Sequence, residues 1–494
     1  MQHLTELSQA HGLEERLAVY AAAFPDRAAV IEGDNTTTYA RLYELYKCVR
    51  HEMWQQGVRE GTRILISCRE AVPFFAAMLA SMEIGALVLP VAYDQKALER
   101  SKILSLFDPE YIFSDRHDGS ETAHGIHPLN VPVEFTCDRD NPNEIFKKRR
   151  LPPETELIIH VTSGSSGVPK AVGRQLGNLL DEAEAIASHT SMSPEDRILC
   201  ASPLHHSFAC GFWRAAIKSG ACLVVSKGFS PKRFIELCSK HRITLTIGVP
   251  YHYMGLLQSE DLACSLSSLR LAYTGGVKLS KLTAQQFREH AGTPLLQEYG
   301  LSEGGVVSLN DSPHKPDSVG KPLQGVAVSI LNEEGILLSA NQIGEIHIQR
   351  PYAPLSYWSD SIDCTHSLNT KFGVPTGDLG WLDEDGYLYL SQRKKWMINV
   401  GGNKVDPAEV EEVMMGSGWV EECLVVPKKD EWRGEVVQAF IVAKALSNMD
   451  ENDLYLYCRE RLSAFKVPKT IHRVDKLQRS DSGKILRSYY MNEC

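Results

Sequence analysis

A chain of 494 residues exceeds what one hydrophobic core usually organises, so two or more domains are expected. Its composition, 43% hydrophobic and 23% charged, is ordinary for a soluble globular protein with a substantial core. The net charge of -10 argues against a general nucleic-acid binder, which carries a basic excess. The one basic cluster, Lys147-Lys148-Arg149-Arg150 before Leu151-Pro152-Pro153, reads as a solvated linker. Twelve cysteines lie far apart without CxxC or zinc-type spacing, so they read as small core residues of a reducing compartment. The start, from Met1 to Glu6, has no basic region followed by an apolar one, and the longest apolar stretch, Phe74 to Leu89, is interrupted by Ser81, Glu83 and Gly85. Neither a signal peptide nor a membrane span is expected, and a cytoplasmic location is.

In chain order, Arg63-Ile64-Leu65-Ile66-Ser67-Cys68 reads as a buried strand, Ala71 to Ile84 as a helix and Ala86-Leu87-Val88-Leu89-Pro90 as the next strand. This βαβ pattern recurs in Ala221 to Val225, Pro231 to His241 and Leu245 to Val249. After about residue 320 the pattern changes to short strands with Gly and Asp turns: Val326 to Ile330, Gly344 to Ile348 and Gly386 to Leu390. From Arg393 onward a small α+β unit is expected. The fold class is therefore α/β: a large N-terminal domain of layered α/β sheets with a β-rich subdomain, followed by a small α+β C-terminal domain.

The apolar Leu157-Ile158-Ile159 leads into Thr162-Ser163-Gly164-Ser165-Ser166-Gly167-Val168-Pro169-Lys170. Glycines let the backbone approach an anion, hydroxyls add donors, and a lysine after a rigid proline supplies positive charge, so the loop is suited to a triphosphate. It is not the commonest phosphate loop, because Ala171 follows Lys170 where a Ser or Thr would reach magnesium. Taken alone, a Gly/Ser-rich loop is as well explained by a turn or flexible connector.

Further segments bear on that choice. Gln297-Glu298-Tyr299-Gly300-Leu301-Ser302-Glu303-Gly304 sets acids, a hydroxyl and an aromatic beside glycines, and Glu303 has the chemistry of a Mg²⁺ ligand. In Pro375-Thr376-Gly377-Asp378-Leu379-Gly380-Trp381 an acid fixed by a Gly turn can accept both hydroxyls of a ribose, or simply cap the turn. Arg393 follows fifteen residues later, ahead of Lys395 and Gly401-Gly402, and Lys484 stands in the Ser/Gly loop Arg479-Ser480-Asp481-Ser482-Gly483-Lys484.

Together, in this order and spacing, these segments resemble the adenylate-forming superfamily: acyl- and aryl-CoA synthetases, adenylation domains of nonribosomal peptide synthetases, and beetle luciferases. The resemblance runs from Thr38-Tyr39-Ala40-Arg41-Leu42 to Lys484, and in layout the chain is most like a stand-alone acyl-CoA synthetase. It implies ATP-dependent activation of a carboxylic acid to an acyl-adenylate, release of pyrophosphate, and transfer to a thiol, with ATP and Mg²⁺ required. Thr162, Ser163, Gly164, Ser165, Ser166, Gly167 and Lys170 would cover the β- and γ-phosphates. Gly275, Gly276, Glu298, Tyr299, Gly300, Ser302, Asp378 and Arg393 would complete the ATP/AMP site, Ser302 reaching the α-phosphate, Asp378 the ribose and Glu303 the metal. Lys484 would bridge the reacting carboxylate and the α-phosphate. His206, Phe208, Val249, Tyr251, Gly275 and Val277 would line the acyl pocket, with His206 as its gate.

The resemblance further implies domains of residues 1–392 and 393–494, a hinge at Lys395 about which the small domain rotates, and a thiol channel along Gly401-Gly402. No acid occupies Ser207, Phe208, Ala209 or Cys210, where amino-acid-activating relatives pair with the substrate ammonium, so an apolar acyl or aryl acid is expected. The chain ends at Cys494, soon after Arg487, so no fused carrier domain is expected. CoA is the expected acceptor, with the phosphopantetheine of a separate carrier protein as the alternative and a luciferase-like oxygenase as a third reading. Lys404, Lys466 and Lys469 would suit either thiol carrier. Departures from the family pattern are Ala171 for glycine, Gln478 for proline and Trp396 for an acid, which bear on the hinge and thiol channel.

Overall fold

The computed structural model describes residues 12–95, 97–115, 126–129, 150–162, 170–259, 262–277, 279–353, 357–358, 370–393, 396–401, 403–430, 432–444, 450–480, 483 and 485–491. These form four sheets. The largest has nine strands, and its parallel centre runs, in spatial order, Leu295–Leu301, Leu271–Thr274, Leu245–Gly248, Arg197–Cys200, Cys222–Val225 and Ala28–Glu32. A seven-stranded sheet carries Glu156–Thr162 and Lys170–Gln175 beside Leu87–Pro90 and Arg63–Ser67.

The helix Ala71–Ile84 holds these two sheets together. Its sequence is apolar on every side, which suits a helix enclosed by protein rather than a surface helix with one wet face. Phe75 and Met78 are fully buried, and the Phe75 ring stands 5.5 Å from that of Trp213 on Ser207–Ser219. Burial of each such side chain stabilises the layer by about 1.5–3 kcal/mol. Gly85 ends the helix at φ +86°, a left-handed conformation that favours glycine, with its N–H donating to Ser81. The outer face of the nine-stranded sheet is covered by Pro231–His241, Pro250–Leu256 and Lys281–Ala291, which share a second core.

The expected βαβ units are present, with strand ends displaced by a residue or two. The exception is their adjacency: Cys222–Val225 and Leu245–Gly248 are not neighbours, because Arg197–Cys200 lies between them. The β-rich region is a four-stranded antiparallel sheet of Ala327–Leu331, Gly344–Gln349, Val374–Leu382 and Leu388–Arg393. Residues from 398 onward pack on a core of their own, including Ile398, Val410, Val425, Val437, Ile441 and Leu454. No helix among the described residues is long and apolar enough to cross a membrane. Cys200, Cys210, Cys222, Cys238, Cys423 and Cys458 are buried free thiols, as a core role requires, whereas Cys264 departs from that expectation in being exposed and Cys48 in being disulfide-bonded. Of the basic cluster, 147–149 lie outside the described residues, and Arg150 is exposed.

Candidate active site

The parallel strands of the large sheet finish level: Ile247 pairs with Cys200, Gly248 with Thr274, and Thr274 with Gln297. The segments around His206, Val249, Gly275 and Ser302 therefore emerge along one carboxyl edge, where open α/β sheets bind ligands. Gly275 donates its N–H to Gly248 O at 3.1 Å, fixing its loop. The buried Glu298 carboxylate fills the space that a side chain on Gly275 or Gly300 would need, so both positions require glycine. Leu295–Leu301 then turns back through Ser302 and Glu303, both half-buried, into Gly305–Leu309.

Asp378 does not sit in a tight turn as its flanking glycines imply. It lies within the strand Val374–Leu382 at a bulge, after Gly377 at φ +71°, and its N–H donates to Thr376 Oγ1 at 3.1 Å. The bulge re-aims the buried carboxylate toward the large sheet, where it accepts from Tyr299 Oη at 2.8 Å. Asp378 is also the cross-strand partner of Arg393. Two residues read from separate motifs, Tyr299 and Asp378, are thus joined directly. A carboxylate offers two acceptor oxygens, the chemistry that a diol requires.

On the opposite flank His206 caps the helix Ser207–Ser219, its ring 4.4 Å from that of His205. Burial pushes the His205 imidazole down to about 4, so both partners of this contact do not carry charge together near neutral pH. Phe208 packs edge-on against Phe212 at 5.5 Å. Val277 and Tyr251 are exposed, and the Tyr251 ring meets the guanidinium of Arg479 at 4.5 Å. Arg479 in turn pairs with Glu422 at 2.6 Å and donates to Gly483 O at 2.9 Å. Gly483, at φ +79°, passes so close to Val249 that a Cβ there would stand 3.1 Å from its methyl. The C-terminal loop is therefore folded onto the 249–252 segment, where the Tyr251 ring also meets that of Phe229 at 6.2 Å.

Ser163, Gly164, Ser165, Ser166, Gly167, Lys395, Gly402 and Lys484 lie outside the described residues. Thr162 and Lys170 pair as the last and first residues of antiparallel strands, on either side of the expected phosphate loop. Gly401 is described, at φ +58°, with its N–H donating to Arg433 O. Trp396, which replaces the usual acid, lies under Arg487 at 4.9 Å, and Lys466 is paired with Glu409 at 2.7 Å.

The sequence reading missed a buried ionic cluster behind the edge. Glu182 accepts from Arg174 Nη2 at 3.0 Å, from Arg214 Nη2 and from the Val306 N–H at 2.7 Å. Burial alone would raise its pKa, but Arg174, Arg214 and Arg350 outweigh it and hold the carboxyl at about 2. His160, on the strand entering the phosphate loop, is pushed down to about 3 by burial and by the charges of Arg174 and Arg214. The signal was legible: Arg174 interrupts Ala171-Val172-Gly173, and Arg214 stands inside Phe212-Trp213-Arg214-Ala215-Ala216-Ile217. A charge within an apolar run is either exposed or paired.

Glu303 offers one half-buried carboxylate on a turn beside the strand Lys170–Gln175. That donor set fits a magnesium ion carried mainly by nucleotide phosphates and water, which takes one or two protein carboxylates.

Comparison with known proteins agrees with this geometry. The chain is 29% identical to the 2-succinylbenzoate–CoA ligase of Geobacillus kaustophilus over 94% of each chain. It is 27% identical to a long-chain-fatty-acid–CoA ligase of Bacillus subtilis, covering 97% of this chain and 94% of the relative. The solved O-succinylbenzoate coenzyme A synthetase of Bacillus subtilis, in complex with ATP and magnesium, superposes with a TM-score of 0.82 at 26% identity, covering 96% of this chain and 98% of that one. The AMP-binding enzyme description matches residues 17–358 and its C-terminal domain residues 409–484, so the chain belongs to the AMP-binding enzyme family, the adenylate-forming enzymes.

Proposed function

We propose that the protein is an AMP-forming acid–thiol ligase that converts a carboxylic acid to its CoA thioester in two steps. A carboxylate does not acylate a thiol, because oxide would have to leave. In the first step a carboxylate oxygen attacks the α-phosphorus of ATP, the bond to the β-phosphate oxygen breaks, and pyrophosphate departs. In the second a thiol attacks the acyl carbon, its proton is lost to solvent or base, and AMP leaves. The observation that carries this reading is the convergence, on one sheet edge, of the Tyr299–Asp378 pair, the Ser302–Glu303 turn and the Gly483 loop.

In this reading Asp378 and Arg393 hold the ribose, Ser302 donates to the α-phosphate, and the Thr162–Lys170 loop covers the outer phosphates. Magnesium bound at Glu303 supplies neutralisation of the charge on the departing pyrophosphate. Lys484, next to the docked Gly483, reaches the reacting oxygens in the first step. Preorganised donors of this kind carry most of the acceleration when charge develops at phosphate. Rotation about Lys395 then withdraws the loop and brings the Gly401-Gly402 segment to the site for the thiol. His206, Phe208, Gly275 and Val277 border the acyl group, with Val249 and Tyr251 beneath the C-terminal loop. CoA is the acceptor and the compartment is the cytoplasm.

A panel of aliphatic and aromatic carboxylic acids, assayed for ATP-dependent pyrophosphate release with hydroxylamine, CoA or a phosphopantetheinylated carrier protein as acceptor, tests the proposal. Thioester with CoA supports it. Thioester with carrier protein alone, or oxygen uptake with light emission, contradicts the acceptor assignment.

A further inference from the structure

Gly304, Gly305 and Val306 immediately follow Ser302 and Glu303, and their backbone is gripped from both sides. Arg350 donates from Nη1 to Gly304 O at 2.5 Å and from Nη2 to Val306 O at 3.0 Å, while Glu182 accepts the Val306 N–H at 2.7 Å. Glu182 and Arg350 are buried, as are Arg174 and Arg214, which share the Glu182 carboxylate. Gly305, at φ +70°, lies where any side chain would collide with Glu182 and the Arg174 guanidinium. Arg174 belongs to Lys170–Gln175, the strand leaving the phosphate loop, and also donates to Asn178 at 2.6 Å. Arg214 belongs to the helix capped by His206.

We infer that Glu182 and Arg350 are positioning residues for nucleotide binding: with Arg174 and Arg214 they form a buried clamp that fixes the Ser302–Glu303 turn relative to the strand Lys170–Gln175. The inference rests on the functional reading above. Three guanidinium groups face one carboxylate here, and burying ions is costly, so a purely structural core would be served as well by apolar side chains. The clamp instead spends its hydrogen bonds on three backbone groups of one turn, the one bearing Glu303. Groups that orient a metal ligand in this way typically change metal affinity by about 10–100-fold when altered.

Arg350→Lys retains the charge but loses the two-pronged grip on Gly304 and Val306. Glu182→Gln retains an acceptor for Val306 but removes the anion shared by Arg174 and Arg214. Binding of a fluorescent ATP analogue, titrated with Mg²⁺ on the full-length chain, is expected to require about tenfold more Mg²⁺ in either variant. Affinity for adenosine, which carries neither the metal nor the α-phosphate assigned to Ser302, is expected to stay within about twofold, because Tyr299–Asp378 is untouched. If Glu182→Gln does not fold, Arg350→Lys alone decides. A lowered melting temperature with unaltered Mg²⁺ dependence, or equal losses of ATP and adenosine affinity, would overturn the inference. The assay needs neither acid nor thiol: an unsubstituted chain that binds Mg²⁺-ATP in the expected way but forms no adenylate contradicts the functional reading and leaves the clamp standing.

Discussion

The turn bearing Glu303 and the loop bearing Gly483 reach the same sheet edge, yet they are held there by opposite means. The turn is fixed by fully buried ions, with Glu182, Arg174 and Arg214 inaccessible to solvent. The loop is held to that edge by the Arg479 guanidinium over the exposed ring of Tyr251 and by the close approach of Gly483 to Val249. Breaking a buried ion pair typically costs about 3–5 kcal/mol, whereas an exposed cation–π contact contributes about 0.5–1 kcal/mol. In the proposed mechanism the C-terminal loop leaves the edge between the two steps, and the contacts that attach it there are the weaker set.

This contrast can be broken or sharpened by substitution. The largest expected effect is that of Lys484→Ala: adenylate formation in single-turnover experiments should slow at least ~100-fold, about 2.7 kcal/mol, while preformed acyl-adenylate is still consumed by thiol. An unchanged first step would remove Lys484 from it. Asp378→Asn loses a charged acceptor worth about 1.5–3 kcal/mol, so KM for ATP should rise about 10–100-fold with little change in KM for the acid. Equal changes in both would point to general damage. Tyr251→Ala removes the loop's cation–π contact together with the edge packing on Phe229, and should slow the first step about two- to fivefold, leaving the second unaltered.

A separate effect concerns stability. His160 and His205 are pushed down from 6.5, chiefly by burial, to about 3 and about 4. Below 6.5 the unfolded chain takes up protons at these positions that the folded chain refuses, so stability falls as pH drops from about 6.5 toward 4, by up to about 1.4 kcal/mol per pH unit for each. Melting temperatures at pH 7 and 5 should differ less in His205→Gln than in the unsubstituted protein. An identical difference would contradict this.

The sequence revealed most where a local pattern carries the information. Ala71–Ile84 was bounded to the residue because its apolar run ends in Gly85, and Pro231–His241 because Ser230 and Pro231 open it. Asp378 was found as an acid but misread as a turn residue, since a bulge within a long strand uses the same glycines as a tight turn. Its link to Tyr299 joins residues 79 positions apart, and no local pattern encodes that. Glu182 itself stands in no apolar run: the groups that bond it come from three separate elements, and only their meeting in space links it to the legible charges Arg174 and Arg214.

The most direct test is to identify the products when the protein is mixed with ATP, Mg²⁺ and a substrate acid, first without and then with CoA. Acyl-AMP and pyrophosphate in equal amounts before the thiol is added, followed by AMP and acyl-CoA after it, is the predicted result. ADP and phosphate, or thioester formed without AMP, would contradict an adenylate on the path.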